Sequence, residues 1–209
     1  MTSADVRVTR FLEFDTATIY EAAGHRGMVD PTIRPAWPGA VICGVALTTE
    51  CVAGDNLMLH HAVAAATPGT VIVARVGEYL LKGGWGEVLT VAAQARGVVG
   101  LAVDGAVRDI DAIAKLQFPV FCRGLGIGAC VKRHIGPLGE PIVFGGAVVR
   151  TGDIIVGNGD GMVVIASETA DEVYAEATVR RDKEADMMAQ LRLGKTTLEL
   201  LGLAALPKK

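Results

Sequence analysis

Between residues 140 and 166 the chain is a succession of short apolar runs, EPIVFGG, AVVRTG, DIIVGN and GMVVIA, each bounded by glycine-bearing turns. This feature constrains the fold most. Runs of three to six residues rich in Val and Ile are too short for helices and suit a pleated, buried surface. Gly152-Asp153 and Gly159-Asp160-Gly161 supply tight turns between them. This half of the chain must therefore build sheet. Twenty-six glycines in 209 residues fit that demand better than a helical bundle.

The first half alternates strands and helices. Residues 15–24 (DTATIYEAAG) read as a short helix with Asp15 or Thr16 as cap and Gly24 as stop. Residues 25–39, with three prolines and two glycines, read as an ordered loop. A strand at 40–49 follows, then a helix LMLHHAVAAA with Asp55 placed to cap it, and a buried strand TVIVAR at 70–75. The GGWG stretch at 83–86 reads as flexible and leads into a helix over 87–96, ended by Gly97. A strand at 98–103, a turn at Asp104-Gly105 and a short strand at 118–122 come next. One long polar helix is expected at 167–193 and a shorter one at 196–201. No linker or internal repeat interrupts the pattern. The expectation is one α/β domain over 1–209, with a core at about 11–166 and C-terminal helices at about 167–202.

Bulk properties exclude several classes. The net charge is −3, and the basic cluster Arg180, Arg181, Lys183 is broken by Asp182 and Glu184, which argues against nucleic acid as partner. The polar start of the chain and the lack of a membrane-length apolar run predict a soluble, cytoplasmic protein. The four cysteines show no metal-ligand spacing and read as reduced core residues. Gly124-Leu125-Gly126-Ile127-Gly128 lacks the GxGxxG spacing and reads as a turn. None of the four histidines pairs at zinc-ligand spacing, although His25 and His134, in glycine-flanked loops, could line a cleft. No GxSxG element is present, so acyl transfer through serine is not expected.

Glu87, Arg108 and Asp109 carry more. Glu87 opens a helix just after the glycine stretch, so the amides of Gly86, Glu87, Val88 and Leu89 form a helix start suited to an anion. Arg108-Asp109 lies beyond the next strand and can return to the same edge. A guanidinium there binds a planar carboxylate in bidentate fashion. The two carboxylates offer the hard oxygen that magnesium or manganese prefers. A surface salt bridge is the alternative reading of the same residues.

With these residues in view, the chain resembles the class II pyruvate aldolases that act on 4-hydroxy-4-methyl-2-oxoglutarate and 4-carboxy-4-hydroxy-2-oxoadipate. Their fold family includes the regulator of ribonuclease activity A. The resemblance covers about residues 15–201 and rests on TATIYEAAG, IRPAWPGAVICG, GDN, GGWGE, VDGAVRD, FPVF and GDIIVGNGDGMVVI. Its most specific marker is an acidic residue, twenty residues, then Arg-Asp, here Glu87, 88–107 and Arg108-Asp109.

The resemblance implies an αββα sandwich of the ribonuclease-regulator-like, phosphohistidine-domain-like type, assembled as homotrimer or homohexamer through a C-terminal helical arm. It implies Mg2+ or Mn2+ bound directly by Asp109 and, through water, by Glu87 and by Glu184 of a neighbouring subunit. Arg108 would contact the pyruvate unit, and the amides of Gly86, Glu87, Val88 and Leu89 would bind substrate carboxylate. The activity implied is metal-dependent retro-aldol cleavage of a 4-hydroxy-2-oxo acid to pyruvate and a second oxo acid, with oxaloacetate decarboxylation as a side activity. The same fold also admits a non-enzymatic, protein-binding regulator of the ribonuclease-inhibitor type.

Overall fold

The computed structural model describes residues 7–204 and 206. After a 3-10 turn at Arg10–Glu13 come α1 (Thr16–Ala22), β1 (Arg34–Pro35), β2 (Ile42–Glu50), α2 (Leu57–Ala65) and β3 (Thr70–Arg75). The middle holds β4 (Gly83–Trp85), α3 (Glu87–Ala95), β5 (Gly100–Val107), α4 (Ile110–Lys115) and β6 (Val120–Leu125). The second half supplies β7 (Ile142–Phe144), β8 (Ala147–Val149), β9 (Ile154–Gly157) and β10 (Met162–Ile165). The helices α5 (Ala170–Arg192) and α6 (Thr197–Leu201) close the described chain.

Eight strands form one sheet in the order β1-β6-β5-β3-β2-β9-β10, with β4 paired to β5 as well. Strands β2 to β6 run parallel to their neighbours within that set, while β1, β9 and β10 are antiparallel. The hairpin β7-β8 is a second sheet. The parallel strands need crossovers, and α2, α3 and α4 provide them.

Alternation along the strands sorts the side chains into layers. Ile72 and Ala74 of β3, Leu101 and Val103 of β5, and Val120 of β6 face α2, α3 and α4. Their neighbours Val71, Val73, Ala102 and Phe121 face the other way, onto Ile142, Phe144 and Val149 of the hairpin and Ile155 and Val164 of β9 and β10. Ile154, Val156, Val163 and Ile165 point out of the far side of β9 and β10, onto Phe11, Ile19 of α1 and Val173 of α5. The order is helix, sheet, sheet, helix, as the resemblance implies. The apolar runs of the second half are continuous because both faces of β9 and β10 are covered.

Four expectations are corrected. Asp104-Gly105 is no turn: β5 runs through it to Val107, fully buried, with a register shift between Val103 and Ala106. The buried Asp104 carboxylate accepts from the amides of Val76 and Gly77, so a polar residue fits inside the strand. The GGWG stretch is not flexible, because Gly83–Trp85 is a strand on β5. A Cβ on Gly83 would lie 2.3 Å from the Gly126 carbonyl, so glycine is there for close approach. Gly124-Leu125 ends β6 rather than forming a turn, and Ile127 and Gly128 bridge to Lys82. The 25–39 loop contains the two-residue strand β1, paired to β6.

Candidate active site

The first turn of α3 meets the end of β5. Trp85, 1 % exposed, stacks on Phe118 at 6.0 Å and donates from its indole to Thr90 Oγ1 at 2.8 Å. Thr90 Oγ1 donates in turn to the Gly86 carbonyl at 3.0 Å. The helix start is thereby tied to a buried aromatic. Arg108 donates its amide to the Trp85 carbonyl at 2.9 Å, so the two chain segments advance in register.

Asp109 caps α4 with φ of 58°, in the left-handed region that few residues other than Gly, Asn and Asp tolerate. That conformation turns its carboxylate back toward α3. Asp109 Oδ2 accepts from the Glu87 amide at 3.1 Å and lies 3.6 Å from Arg108 Nε. Gly86 makes room for it: a Cβ there would stand 2.3 Å from Asp109 Oδ2. The structure thus brings Gly86, Glu87, Arg108 and Asp109 together at one edge. Of the four amides expected to meet an anion, that of Glu87 donates to Asp109 Oδ2 in this structure; those of Gly86, Val88 and Leu89 likewise have no acceptor within the helix.

Two hollows flank this edge. One, of about 610 Å³, is walled by Leu80, Leu81, Leu125 and Ile127 beside Arg108 and Asp109. The other, of about 230 Å³, runs between the start of α2 and that of α3. Gly86, Val88, Leu89, Arg108 and Asp109 line it on one side, and Asn56, His60 and Lys132 on the other. The Glu87 side chain is exposed and does not line this hollow. Glu184 sits on α5, paired with Arg180 at 2.9 Å, and does not line it either.

Asn56, His60 and Lys132 were not singled out from the sequence as site residues. Asn56 and His60 are four residues apart on α2 and its cap, so they share a face. Asn56 Nδ2 donates to the Gly84 carbonyl at 2.8 Å, which leaves Asn56 Oδ1 buried and without a partner. His60 Nε2 is likewise buried and unpartnered. Burial, with help from Lys132 and His61, lowers the His60 pKa, which favours the neutral ring.

Lys132 is brought in by Asp55, which is not the cap the sequence suggests: Asn56 holds the cap position of α2, and Asp55 stands one residue before it. Asp55, 4 % exposed, accepts from the amides of Leu57, Arg133 and His134 and pairs with the His134 ring at 3.0 Å. Burial pushes its pKa up, but those hydrogen bonds outweigh it and hold it at about 2. Backbone bonds between Val131 and both Gly54 and Asn56 complete the clasp. His134 therefore serves the clasp, and His25 packs edge-on to Tyr20. Neither lines the hollow.

Cations gather on this side of the molecule, with Asp55 and Asp109 among them. Burial raises the Cys130 thiol pKa against the opposing pull of Lys82, Lys132 and Arg108, so three cations stand within electrostatic reach of one loop. Such a hollow suits a small acid carrying carboxylates.

Comparison with known proteins now decides the kinship. A family model described as RraA-like, Aldolase/RraA, matches residues 16–164. The chain belongs to that family. A relative from Halalkalibacterium halodurans, provisionally named 4-hydroxy-4-methyl-2-oxoglutarate aldolase, is 36 % identical over 185 residues, covering 88 % of this chain and 87 % of its own. A solved structure from Pseudomonas syringae pv. tomato superposes with a TM-score of 0.83 at 26 % identity, covering 94 % of this chain and 92 % of that one. The RNA-processing inhibitor RraA of Thermus thermophilis superposes with a TM-score of 0.67 at 20 % identity over 72 % of this chain and 92 % of its own, a likeness of fold alone. The chain is thus similar in sequence to a protein provisionally named as an aldolase and in fold to one named as an RNA-processing inhibitor. No helix among the described residues is long and apolar enough to cross a membrane.

Proposed function

We propose that this RraA-like protein is a divalent-metal-dependent lyase that cleaves a 4-hydroxy-2-oxo acid to pyruvate and a second oxo acid. The observation that carries the reading is the corner made by Arg108 and Asp109 against Gly86. A half-exposed carboxylate and a half-exposed guanidinium share one cavity wall, and the missing Cβ of Gly86 leaves the space.

The residues fit magnesium or manganese. Magnesium keeps several waters and takes one or two carboxylates plus its substrate. Only one oxygen of Asp109 accepts from the Glu87 amide, and the carboxylate is 43 % exposed. Among the described residues no group of three or more His, Cys, Asp or Glu gathers, so a closed zinc-type site is not what this edge offers. Asp109 would hold the ion directly, and Glu87, on the adjoining turn, through water. The ion, Mg2+ or Mn2+, supplies Lewis-acid polarisation of the 2-oxo group.

The chain's own residues do the rest. The 4-hydroxyl gives its proton to solvent as the C3–C4 bond breaks, Arg108 pairs with the oxygen on which negative charge grows, and the pyruvate enolate takes a proton from solvent at C3 to leave as pyruvate. Val88 and Leu89 offer their amides to a substrate carboxylate at the positive end of α3. Oxaloacetate decarboxylation passes through the same enolate, and we expect it as a side activity.

We also infer a homotrimer or homohexamer in which α5 acts as the arm. Its buried residues, Ala170, Val173 and Ala177, all lie in its first half, and Thr178 to Arg192 carries none. Ile127, 94 % exposed, and Leu81, 75 % exposed, sit beside Arg108 and Asp109, as expected of a site closed by a second copy. Glu184 of that copy would then approach the ion through water.

The test is pyruvate release from 4-hydroxy-4-methyl-2-oxoglutarate by the wild type and by Asp109→Asn. Asparagine tolerates the same left-handed backbone, so loss of turnover in a folded variant supports the reading. Turnover retained by Asp109→Asn contradicts it. A wild type inert toward this acid and oxaloacetate would favour the protein-binding regulator.

A further inference from the structure

The buried, unpartnered Nε2 of His60 has no structural employment. Most buried polar atoms find a partner within the protein or in ordered water, and an orphan costs stability. Here two orphans, His60 Nε2 and Asn56 Oδ1, lie on one helix face and border one hollow, which also holds Arg108 and Asp109. We propose that His60 is a substrate-contacting residue, its Nε2 forming with Asn56 Oδ1 a subsite for a hydroxyl group next to the bond that breaks.

The hydrogen-bond inventory identifies the ligand group. Asn56 cannot turn its amide around, because Nδ2 already donates to the Gly84 carbonyl at 2.8 Å and an oxygen there would face an oxygen. Its Oδ1 therefore only accepts. A carboxylate or ketone oxygen placed against it would leave two acceptors in contact. In its neutral form, which burial and Lys132 favour, the His60 ring has one N–H donor and one lone pair. A hydroxyl meets both needs: it donates to Asn56 Oδ1 and, with the ring in the tautomer protonated on Nε2, accepts from His60. Water meets them too, but carries no carbon chain toward Arg108.

The inference rests on the proposed lyase reading and deepens it. With the 2-oxo acid end held at Arg108 and Asp109, a hydroxyl two carbons away would fall on the α2 side of the same hollow. His60 then separates two reactions. Retro-aldol cleavage needs the 4-hydroxyl, and oxaloacetate decarboxylation has none to read. A pocket built to bond a hydroxyl discriminates strongly against an analogue that lacks it.

The experiment compares wild type, His60→Leu and His60→Gln in the metal-loaded full chain. Glutamine can place an amide nitrogen near the position of Nε2, while leucine cannot hydrogen-bond. We expect His60→Leu to lose at least about tenfold in kcat/KM for 4-hydroxy-4-methyl-2-oxoglutarate, as for one buried hydrogen bond. Oxaloacetate decarboxylation should stay within about threefold, which is less than the loss of one such bond. His60→Gln should regain most of the aldolase rate. Equal losses in both reactions, or no loss in His60→Leu, overturn the proposal. If the wild type turns over neither compound, the lyase reading fails separately, and the ring signals of His60 decide the subsite. A shift on adding the 4-hydroxy acid but not pyruvate supports it, and no shift with either overturns it.

Discussion

Gly86→Ala is the perturbation that most sharply probes the corner. The backbone there is extended, with φ of −156°, so alanine meets no conformational strain. The effect is purely one of space. The new Cβ would lie 2.3 Å from Asp109 Oδ2 and 3.2 Å from Arg108 Cγ. Non-bonded atoms of this kind rest near 3.5 Å, so the carboxylate must retreat by about 1 Å. That movement breaks the 3.1 Å bond from the Glu87 amide. A charge-assisted bond at a half-exposed carboxylate contributes about 1 kcal/mol, so Tm should fall by roughly 2–4 °C. Catalysis should suffer far more, because a 1 Å misplacement of a reacting group costs on the order of a hundredfold. Calorimetric titration with Mn2+ and steady-state pyruvate release read the two consequences separately. Gly84→Ala is the control: its Cβ would meet the end of the Leu59 side chain at 3.4 Å and Asn56 Cβ at 3.9 Å, neither of them at the Asp109 corner, and Mn2+ affinity should hold. Wild-type Mn2+ affinity and turnover in Gly86→Ala would refute the geometry.

Other outcomes follow from the same contacts. Arg108→Ala should lower kcat as well as raise KM, because the guanidinium faces developing charge; a change confined to KM in steady-state kinetics would remove it from the transition state. Asp55→Ala should cost about 3 kcal/mol in urea unfolding, since it strands the amides of Leu57, Arg133 and His134. The Asp55 carboxyl is held at about 2, below its ordinary 3.8, so its contribution is complete above the higher value and is lost as pH falls through the lower. Asp30, held at about 2 by the Thr32 amide and Arg123, acts in the same window. Asp55→Asn should therefore flatten, without abolishing, the fall in stability between about pH 4 and pH 2; an unchanged slope in acid titration of unfolding would contradict the clasp.

The strand runs were legible because burial on one or both faces writes itself as Val and Ile. TVIVAR at 70–75 and the four short runs after 140 appear where the pattern puts them. The glycine stretches misled for one reason. Gly83 and Gly86 look like sources of flexibility, yet each is a place where a neighbour comes too close for a Cβ, and closeness is a tertiary fact. Asp104-Gly105 looked like a turn because a sequence does not show that Val76 and Gly77 will supply amides to a buried carboxylate. At the site, the return of Arg108 and Asp109 to the edge where α3 begins was legible from the order of helix and strand. Asn56 and His60 carried a usable signal, two polar residues four apart on one helix. It is obscured because polar residues four apart on a helix more often mark a solvated face than a site. Lys132 had none, since it arrives through the clasp of Asp55 on a segment without regular structure.

The central claim is tested most directly by pyruvate release from 4-hydroxy-4-methyl-2-oxoglutarate, with and without Mg2+, followed by addition of a chelator. The account predicts turnover that requires the metal, stops with the chelator and returns when metal is restored. Turnover indifferent to the chelator, or none from a folded, metal-supplemented protein, would contradict it.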